Sequence, residues 1–251
     1  MRRSLRVTAL SAAVAGALAA AGCGGGGGGE AHEPTSSFGK QTAAQIAEAA
    51  RGDMGGVRSL TVDGHDAERT FHASLADDGS CVGWVKAGGG TARFIENTQG
   101  SFVRGDDTYW LAQASTASDK ARVKQALKVW DGRWVRSPRG EADLRTGSYF
   151  LPECDFVSFV PALTAADRTL ATKGEERTIN GVEAVSLVAD QSGVTSTMWV
   201  ATDAPHRVVE LTQTGSDAAT YELSHYDEPL DITTPDPDEV YDLAAANKKA
   251  E

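Results

Sequence analysis

Few side chains in this chain are spaced for catalysis or for metal binding. No two of its histidines share a predicted helix at ligand spacing, so surface or strand positions explain them better than a metal site. The histidines are His32, His65, His72, His206 and His225. Gly88–Gly90 lacks the lysine and the helix of a phosphate-binding loop, and no Gly-x-Ser-x-Gly elbow or nucleophile–base pair occurs. We therefore predict a chain that is not an enzyme and holds neither a metal nor a cofactor.

Acidic side chains cluster near the C-terminus. The cluster consists of Asp227, Glu228, Asp231, Asp236, Asp238 and Glu239. A calcium site or an acid–base site is one interpretation. Acids at a strand exit and in the first turn of a helix, where the helix dipole favours them, explain the pattern better.

The thiol of Cys23 is placed for covalent modification. A basic start and a short apolar run, Val7–Ala21, precede it, and the junction reads Ala20-Ala21-Gly22-Cys23. A charged start, a short apolar segment and small residues define a secretory signal peptide. With cysteine at the first mature position, the junction resembles a bacterial lipobox, whose cysteine receives acyl groups. Two acyl chains anchor a protein stably, whereas one gives only marginal binding.

We therefore expect an exported protein that is attached through Cys23, with diacylglycerol and palmitate, to the outer face of the cell membrane. The apolar run is 15 residues long, and a membrane-spanning helix needs about 20. A plain secretory signal with an incidental cysteine is the alternative. The Arg2-Arg3 pair leaves the general secretory and twin-arginine routes both open.

Once Cys23 is assigned to lipidation, Cys81 and Cys154 remain as one pair in an oxidising compartment. A disulfide between them would close a loop of about 73 residues, worth roughly 4 kcal/mol in the chain-entropy model. A redox role is the weaker interpretation, because the Cys-x-x-Cys spacing is absent.

Length and charge limit the domain count and the partners. We predict a signal peptide over residues 1–22, a glycine-rich tether over 23–39, one domain over 40–246 and a disordered tail over 247–251. The chain carries 24 Lys and Arg against 35 Asp and Glu, a net charge of −11. Such a body repels nucleic acid and anionic headgroups, so no nucleic-acid partner is expected and the acyl anchor is left as the membrane contact.

Short runs of β-branched and aromatic residues, separated by turn signals, predict a long antiparallel sheet. The run Thr108–Gln113 is included as a strand. Helices are predicted over Thr42–Ala50, Ser118–Val129, Asp155–Ala166 and Glu239–Ala246. A sheet of about ten strands curls rather than staying flat. The predicted fold is α+β, a curved antiparallel sheet that forms an unclosed half-barrel around helices.

Large aromatic residues on these elements could fill a core or line an apolar cavity between the sheet and its helices. The cavity candidates are Trp84, Phe94, Phe102, Trp110, Trp130, Phe156 and Phe159.

Two segments resemble the LppX/LprG lipoprotein family. They are Thr197–Val209, which reads Thr-Met-Trp-Val-Ala and then Pro-His-Arg-Val-Val, and Tyr226–Pro235, which begins Tyr-Asp-Glu-Pro-Leu-Asp-Ile. The strand pattern Ser101–Trp110 and the segment Asn180–Ala184 support the resemblance, which covers about residues 40–245. It implies a LolA/LolB-like fold with a cavity for the acyl chains of a lipid or lipoglycan.

Two hypotheses follow for function. The first is a membrane-anchored, non-enzymatic lipoprotein that binds acyl chains for lipid handling in the envelope. The second is an envelope sensor or regulatory lipoprotein that acts through a protein partner of unknown identity.

Overall fold

The computed structural model describes residues 36–137, 154, 156, 160, 171–191, 193–215 and 218–248. Residues 32–251 belong to one compact unit. The described helices are α1 Ala43–Met54, α2 Asp107–Ala112, α3 Ala117–Trp130 and α4 Leu243–Lys248. The described strands are β1 Ser59–Asp66, β2 Arg69–Ala76, β3 Cys81–Ala87, β4 Gly90–Asn97, β5 Gly100–Gly105, β6 Trp134–Ser137, β7 Thr172–Ile179, β8 Val182–Gln191, β9 Val194–Ala201, β10 Val208–Thr214, β11 Ala219–Ser224 and β12 Val240–Asp242.

The twelve described strands form one sheet built from two meanders. Its order is β12-β6-β5-β4-β3-β2-β1-β11-β10-β9-β8-β7. The first meander runs from β1 to β6 and the second from β7 to β11, and they meet where β1 pairs with β11. β12 and β7 are the two edges, so the sheet is unclosed, as predicted. One pair differs from the antiparallel prediction, because β12 runs parallel to β6.

Alternation along the strands decides which side chains face the helices. On β2, Phe71, Ala73 and Leu75 are buried, whereas the residues between them point to the other face of the sheet. The period of two makes one face apolar and the other polar. We call the face that packs against α1 and α2 the concave face, and its opposite the outer face.

Helix α1 covers part of the concave face. Thr42 and Gln45 form a capping box at its start, and Ile46, Ala50 and Met54 are buried on one stripe. The helix begins where it was predicted and continues one turn further, past Gly52. Gly55 caps its end.

Helix α2 replaces a predicted strand. The Asp106 carboxylate accepts a hydrogen bond from the Tyr109 backbone N–H at 2.7 Å, which caps a helix at the point where the sequence indicated a turn into Thr108–Gln113. The six-residue helix buries Tyr109 and Trp110, so the apolar run Tyr109–Leu111 packs without needing strand alternation.

The other predicted helices differ in their bounds. Helix α3 is confirmed, with Thr116 rather than Ser118 as its N-cap. The predicted helix Glu239–Ala246 is a 3₁₀ turn at Pro237–Glu239, then β12, then α4. Of Asp155–Ala166 the structure describes only Phe156 and Val160, both in helical backbone.

The packed domain begins before the predicted boundary at residue 40. Phe38 is buried and stacks on the His206 ring with centroids 3.7 Å apart. The Ser36 hydroxyl donates to Glu176 at 2.9 Å, and Lys173 donates to the Gly39 carbonyl at 2.7 Å. Residues 36–39 therefore belong to the domain, while residues 1–35 lie outside the described residues. At the other end, α4 reaches Lys248, inside the predicted tail, and 249–251 lie outside the described residues.

Candidate functional site

The concave face is the largest apolar surface that the described residues build. Its cluster draws on both meanders, with Val62, Phe94 and Val103 from the first and Val185, Met198 and Val200 from the second. Phe94 lies over Gly83, where an added Cβ would come within 2.6 Å of the phenyl ring. Glycine at this position therefore lets a large ring reach the middle of the sheet.

Helices α2 and α3 contribute two tryptophans to the same cluster. Trp110 packs against Trp130 with ring centroids 4.9 Å apart, and its indole N–H donates to the Gly105 carbonyl at 3.1 Å. Both side chains are buried. This pair holds the end of α3 against α2 and makes the two helices one side of the apolar interior.

The predicted cavity residues divide into three groups. Phe94, Trp110, Trp130 and Phe156 lie in the concave cluster. Trp84 and Phe102 lie on the outer face, opposite Arg93 and Ile95 respectively. The prediction that these two side chains line a cavity on the concave side is therefore wrong. Phe159 lies outside the described residues.

The disulfide predicted between Cys81 and Cys154 is present, with Cα atoms 5.4 Å apart. Both cysteines are buried in the concave cluster, together with Phe156 and Val160. The bond therefore fixes the start of β3 to a helical segment that packs on the concave face.

A pocket of about 850 Å³ opens at one end of the half-barrel. The turn between β1 and β2, the end of β3, the end of α2 and the neighbouring ends of β10 and β11 surround it. We call this opening the mouth. Its lining includes Ala87, Ala219 and Tyr221, which face the concave side. The volume lies within the range of ligand pockets, about 300–1,000 Å³.

Phe71 and Tyr221 connect the mouth to the apolar interior, and the sequence candidates did not include them. Their ring centroids are 6.3 Å apart, across the seam between β2, β1 and β11. Phe71 is buried and belongs to the concave cluster, against which Tyr221 packs. The regular alternation of Phe71, Ala73 and Leu75 in the sequence indicates that Phe71 lies on the buried face of its strand.

The rim of the mouth carries a compensated charge pair. The Arg69 guanidinium donates to the Asp66 carboxylate at 2.9 Å. Burial opposes ionisation of Asp66, but hydrogen bonds from the Arg69 side chain and from the Glu68 and Arg69 backbones hold its pKa below the usual range. Because the two charges are paired, the rim has no net charge from them.

His72, His206 and Asp227 of the acidic cluster make structural contacts. His72 bonds to Asp63 at 2.7 Å, and His206 stacks on Phe38. Asp227 accepts from the Arg58 backbone and pairs with Arg207. Within the described ranges, no three His, Cys, Asp or Glu side chains converge on a position for a metal ion.

Beside Arg207, burial raises the pKa of the Tyr226 phenol above its usual value. The phenol donates to the Val208 carbonyl.

None of the described helices has both the length and the apolar character needed to cross a bilayer.

A second, smaller apolar cluster lies on the outer face of the second meander. It consists of Ile179, Ala184, Trp199, Ala201 and Val209. The Arg177 guanidinium lies 4.0 Å from the centre of the Trp199 ring and also pairs with Glu210. A surface pocket of about 420 Å³ adjoins this cluster.

Comparison with solved structures identifies the fold. The chain is similar to LprF from Mycobacterium bovis, with a TM-score of 0.52 and 14% sequence identity, over 77% of this chain and 96% of that one. It is also similar to the lipoprotein LppX from Mycobacterium tuberculosis, with a TM-score of 0.46 and 9% identity, over 76% of this chain and 98% of that one. No protein-family model and no curated protein matches the chain.

The similarity to LprF, together with the unclosed sheet, confirms the predicted fold class. The chain has the fold of LprF, a half-barrel wrapped around helices.

Proposed function

We propose that this chain is an exported lipoprotein that binds acyl chains on the concave face of its half-barrel and catalyses no reaction. The main support for this proposal is the mouth, a pocket of about 850 Å³ that meets the apolar interior at Tyr221. The fold shared with LprF and the lipobox-like junction at Cys23 support it.

Acyl chains would enter at the mouth and pass Phe71 and Tyr221 toward the interior. Burial of apolar surface would drive their uptake, at about 25 cal/mol per Å². The headgroup would stay at the rim, where the paired Asp66 and Arg69 offer hydrogen-bond acceptors and donors without net charge. No bond is made or broken in this cycle, so no catalytic side chain is required.

Native mass spectrometry of the protein purified from its own host tests the binding. We expect a co-bound lipid on the wild-type chain and none on A87W, because the indole would fill the mouth. T91W is the matched control, since Thr91 is exposed on the outer face, four residues further along the chain. A wild-type chain without lipid, or A87W with its lipid retained, would contradict the proposal.

Cell fractionation tests the anchor. The wild-type protein should remain with the membrane, and C23S should move to the soluble fraction, because the serine hydroxyl cannot form the thioether that joins a cysteine to diacylglycerol. C23S that still remains with the membrane after a high-salt wash would contradict lipid anchoring at Cys23.

A further inference from the structure

The negative charge of this protein is confined to one part of the chain. Residues 36–137, which include the first meander, contain 13 Lys and Arg against 12 Asp and Glu. Residues 171–248 contain 4 Lys and Arg against 15 Asp and Glu. The net charge of the whole chain therefore gives no measure of the surface that the first meander presents.

Two arginines stand directly opposite each other on the outer face of the first meander. Arg93 of β4 pairs in register with Arg104 of β5, and both are exposed. Like charges at directly opposed positions destabilise a sheet. Neither guanidinium forms an ion pair or a hydrogen bond with any residue that the structure describes. An anion bound between them would remove this repulsion and accept their hydrogen bonds.

Trp84 and Lys86 extend the cationic surface along β3. Trp84 lies opposite Arg93, and the Lys86 ammonium is 5.3 Å from the centre of the indole ring. Lys86 also faces outward, diagonal to Arg93. We call Trp84, Lys86, Arg93 and Arg104 the arginine patch. It combines three cations with an amphipathic ring, the composition found where proteins meet the headgroup region of a bilayer.

We propose that the arginine patch docks this domain onto the anionic headgroups of a phospholipid bilayer. The choice of a bilayer as the partner of the patch rests in part on the proposed anchoring at Cys23. Twelve residues, 24–35, separate Cys23 from Ser36, and they span at most about 45 Å. A strand of seven residues such as β3 is about 25 Å long. The tether therefore lets the patch reach the same bilayer, and it keeps that bilayer at a high effective concentration.

Docking through the patch would place the mouth at the membrane surface. Lys86 precedes Gly88 by two residues, and Gly88 lines the mouth. A headgroup bound at the patch would thus lie within a few residues of the opening through which acyl chains are proposed to pass. The acidic second meander would occupy the other half of the sheet, separated from the patch by β1 and β2.

Vesicle flotation with residues 24–251, which retain the whole compact unit and lack Cys23, tests the docking. We expect the protein to float with vesicles of phosphatidylcholine containing phosphatidylglycerol, and not with phosphatidylcholine alone. R93Q/R104Q should weaken this partition by about 25-fold, at about fivefold for each charge removed. Raising the salt concentration should weaken wild-type binding in the same direction.

K120Q/K124Q is the matched control, because it removes the same net charge from exposed positions of α3. The control should bind as the wild type does. Equal weakening of both variants would show that total charge, and not the patch, governs binding. Wild-type binding that is indifferent to phosphatidylglycerol would also overturn the proposal.

Sodium phosphate compared with sodium chloride at equal ionic strength separates a bilayer surface from a site for a free anion. We expect equal release from the vesicles in both salts. Selective release by phosphate would identify a discrete anion site and overturn the bilayer assignment.

Lipid co-purification is scored separately on R93Q/R104Q. Both substituted residues face away from the concave side, so the variant should retain the lipid of the wild type. Normal flotation of a chain that carries no lipid would contradict the proposed function and leave the docking intact. A wild-type chain that carries lipid but does not float with the vesicles would contradict the docking and leave the proposed function intact.

Discussion

The two meanders of the sheet use their outer faces in opposite ways. In the first, that face carries the cations of the arginine patch, and its buried apolar residues include the facing pair Ile95 and Phe102. In the second, β8 to β10 bury apolar side chains on both faces, and Trp199 and Val209 belong to the outer cluster. The second meander therefore has a packed apolar cluster on each of its two faces. The first depends on the helices and on the Cys81–Cys154 bond for its stability.

The disulfide offers the largest expected effect. C81A/C154A should lower the free energy of unfolding by about 4 kcal/mol, because the bond closes a loop of 73 residues. Urea unfolding measures the change. Dithiothreitol should weaken the wild type by a similar amount and leave the variant unchanged. An unchanged urea midpoint for the variant would mean that the first meander is stable without the bond.

Aromatic residues on the two faces of the first meander should differ in their contribution. F94A should cost about 3 kcal/mol, because Phe94 is 1% exposed in the concave cluster. W84A should cost about 1 kcal/mol, since Trp84 is only half-buried on the outer face. Thermal unfolding of both variants measures the two losses of stability and so checks their ratio. Equal losses would show that the outer face of the first meander is also a packed core.

The outer cluster of the second meander should depend on Arg177. R177A should destabilise the protein by about 1.5 kcal/mol, because it uncovers Trp199 and leaves Glu210, whose side chain is 11% exposed, without its partner. The same substitution in an E210Q background should cost less, since the amide carries no charge. Urea midpoints of the four chains test this double-mutant cycle. Additive losses would indicate that the ion pair contributes nothing.

The smallest effect should be a gain in stability. R104E replaces a like-charge pair by an opposite-charge pair with Arg93 and should stabilise the fold by about 0.5 kcal/mol. Differential scanning calorimetry detects a shift of this size. A loss of stability would mean that Arg104 makes a favourable contact in the folded domain, against the interpretation of the patch as a surface kept for a partner.

The fold could be predicted because turn residues and alternation mark most strands. From Phe71 to Leu75, the β2 sequence alternates apolar and polar residues, so both the strand and its buried face follow from the pattern. β3 is harder, because Val82, Trp84 and Val85 are all apolar. Gly83 decides its orientation, since the space above it is filled by Phe94. That contact depends on the register of β4 and could not be read from β3 alone.

The candidate site was less predictable than the fold. The mouth is made by turns and strand ends far apart in the sequence, and its residues are small or polar. A search for large aromatic residues therefore found the interior and missed the opening. The arginine patch was missed for a related reason. A net charge summed over the chain hides two arginines that only the register of β4 and β5 brings together.

The seam between β1 and β11 has a consequence for the order of folding. Val62 pairs with Leu223, so the centre of the sheet joins residues about 160 positions apart. Contacts of such long sequence separation form slowly, because the intervening chain must first be ordered. The first meander has all its local partners once residue 137 is available, yet β1 keeps an open edge until β11 arrives. The half-barrel is therefore completed only when nearly all of the chain is present.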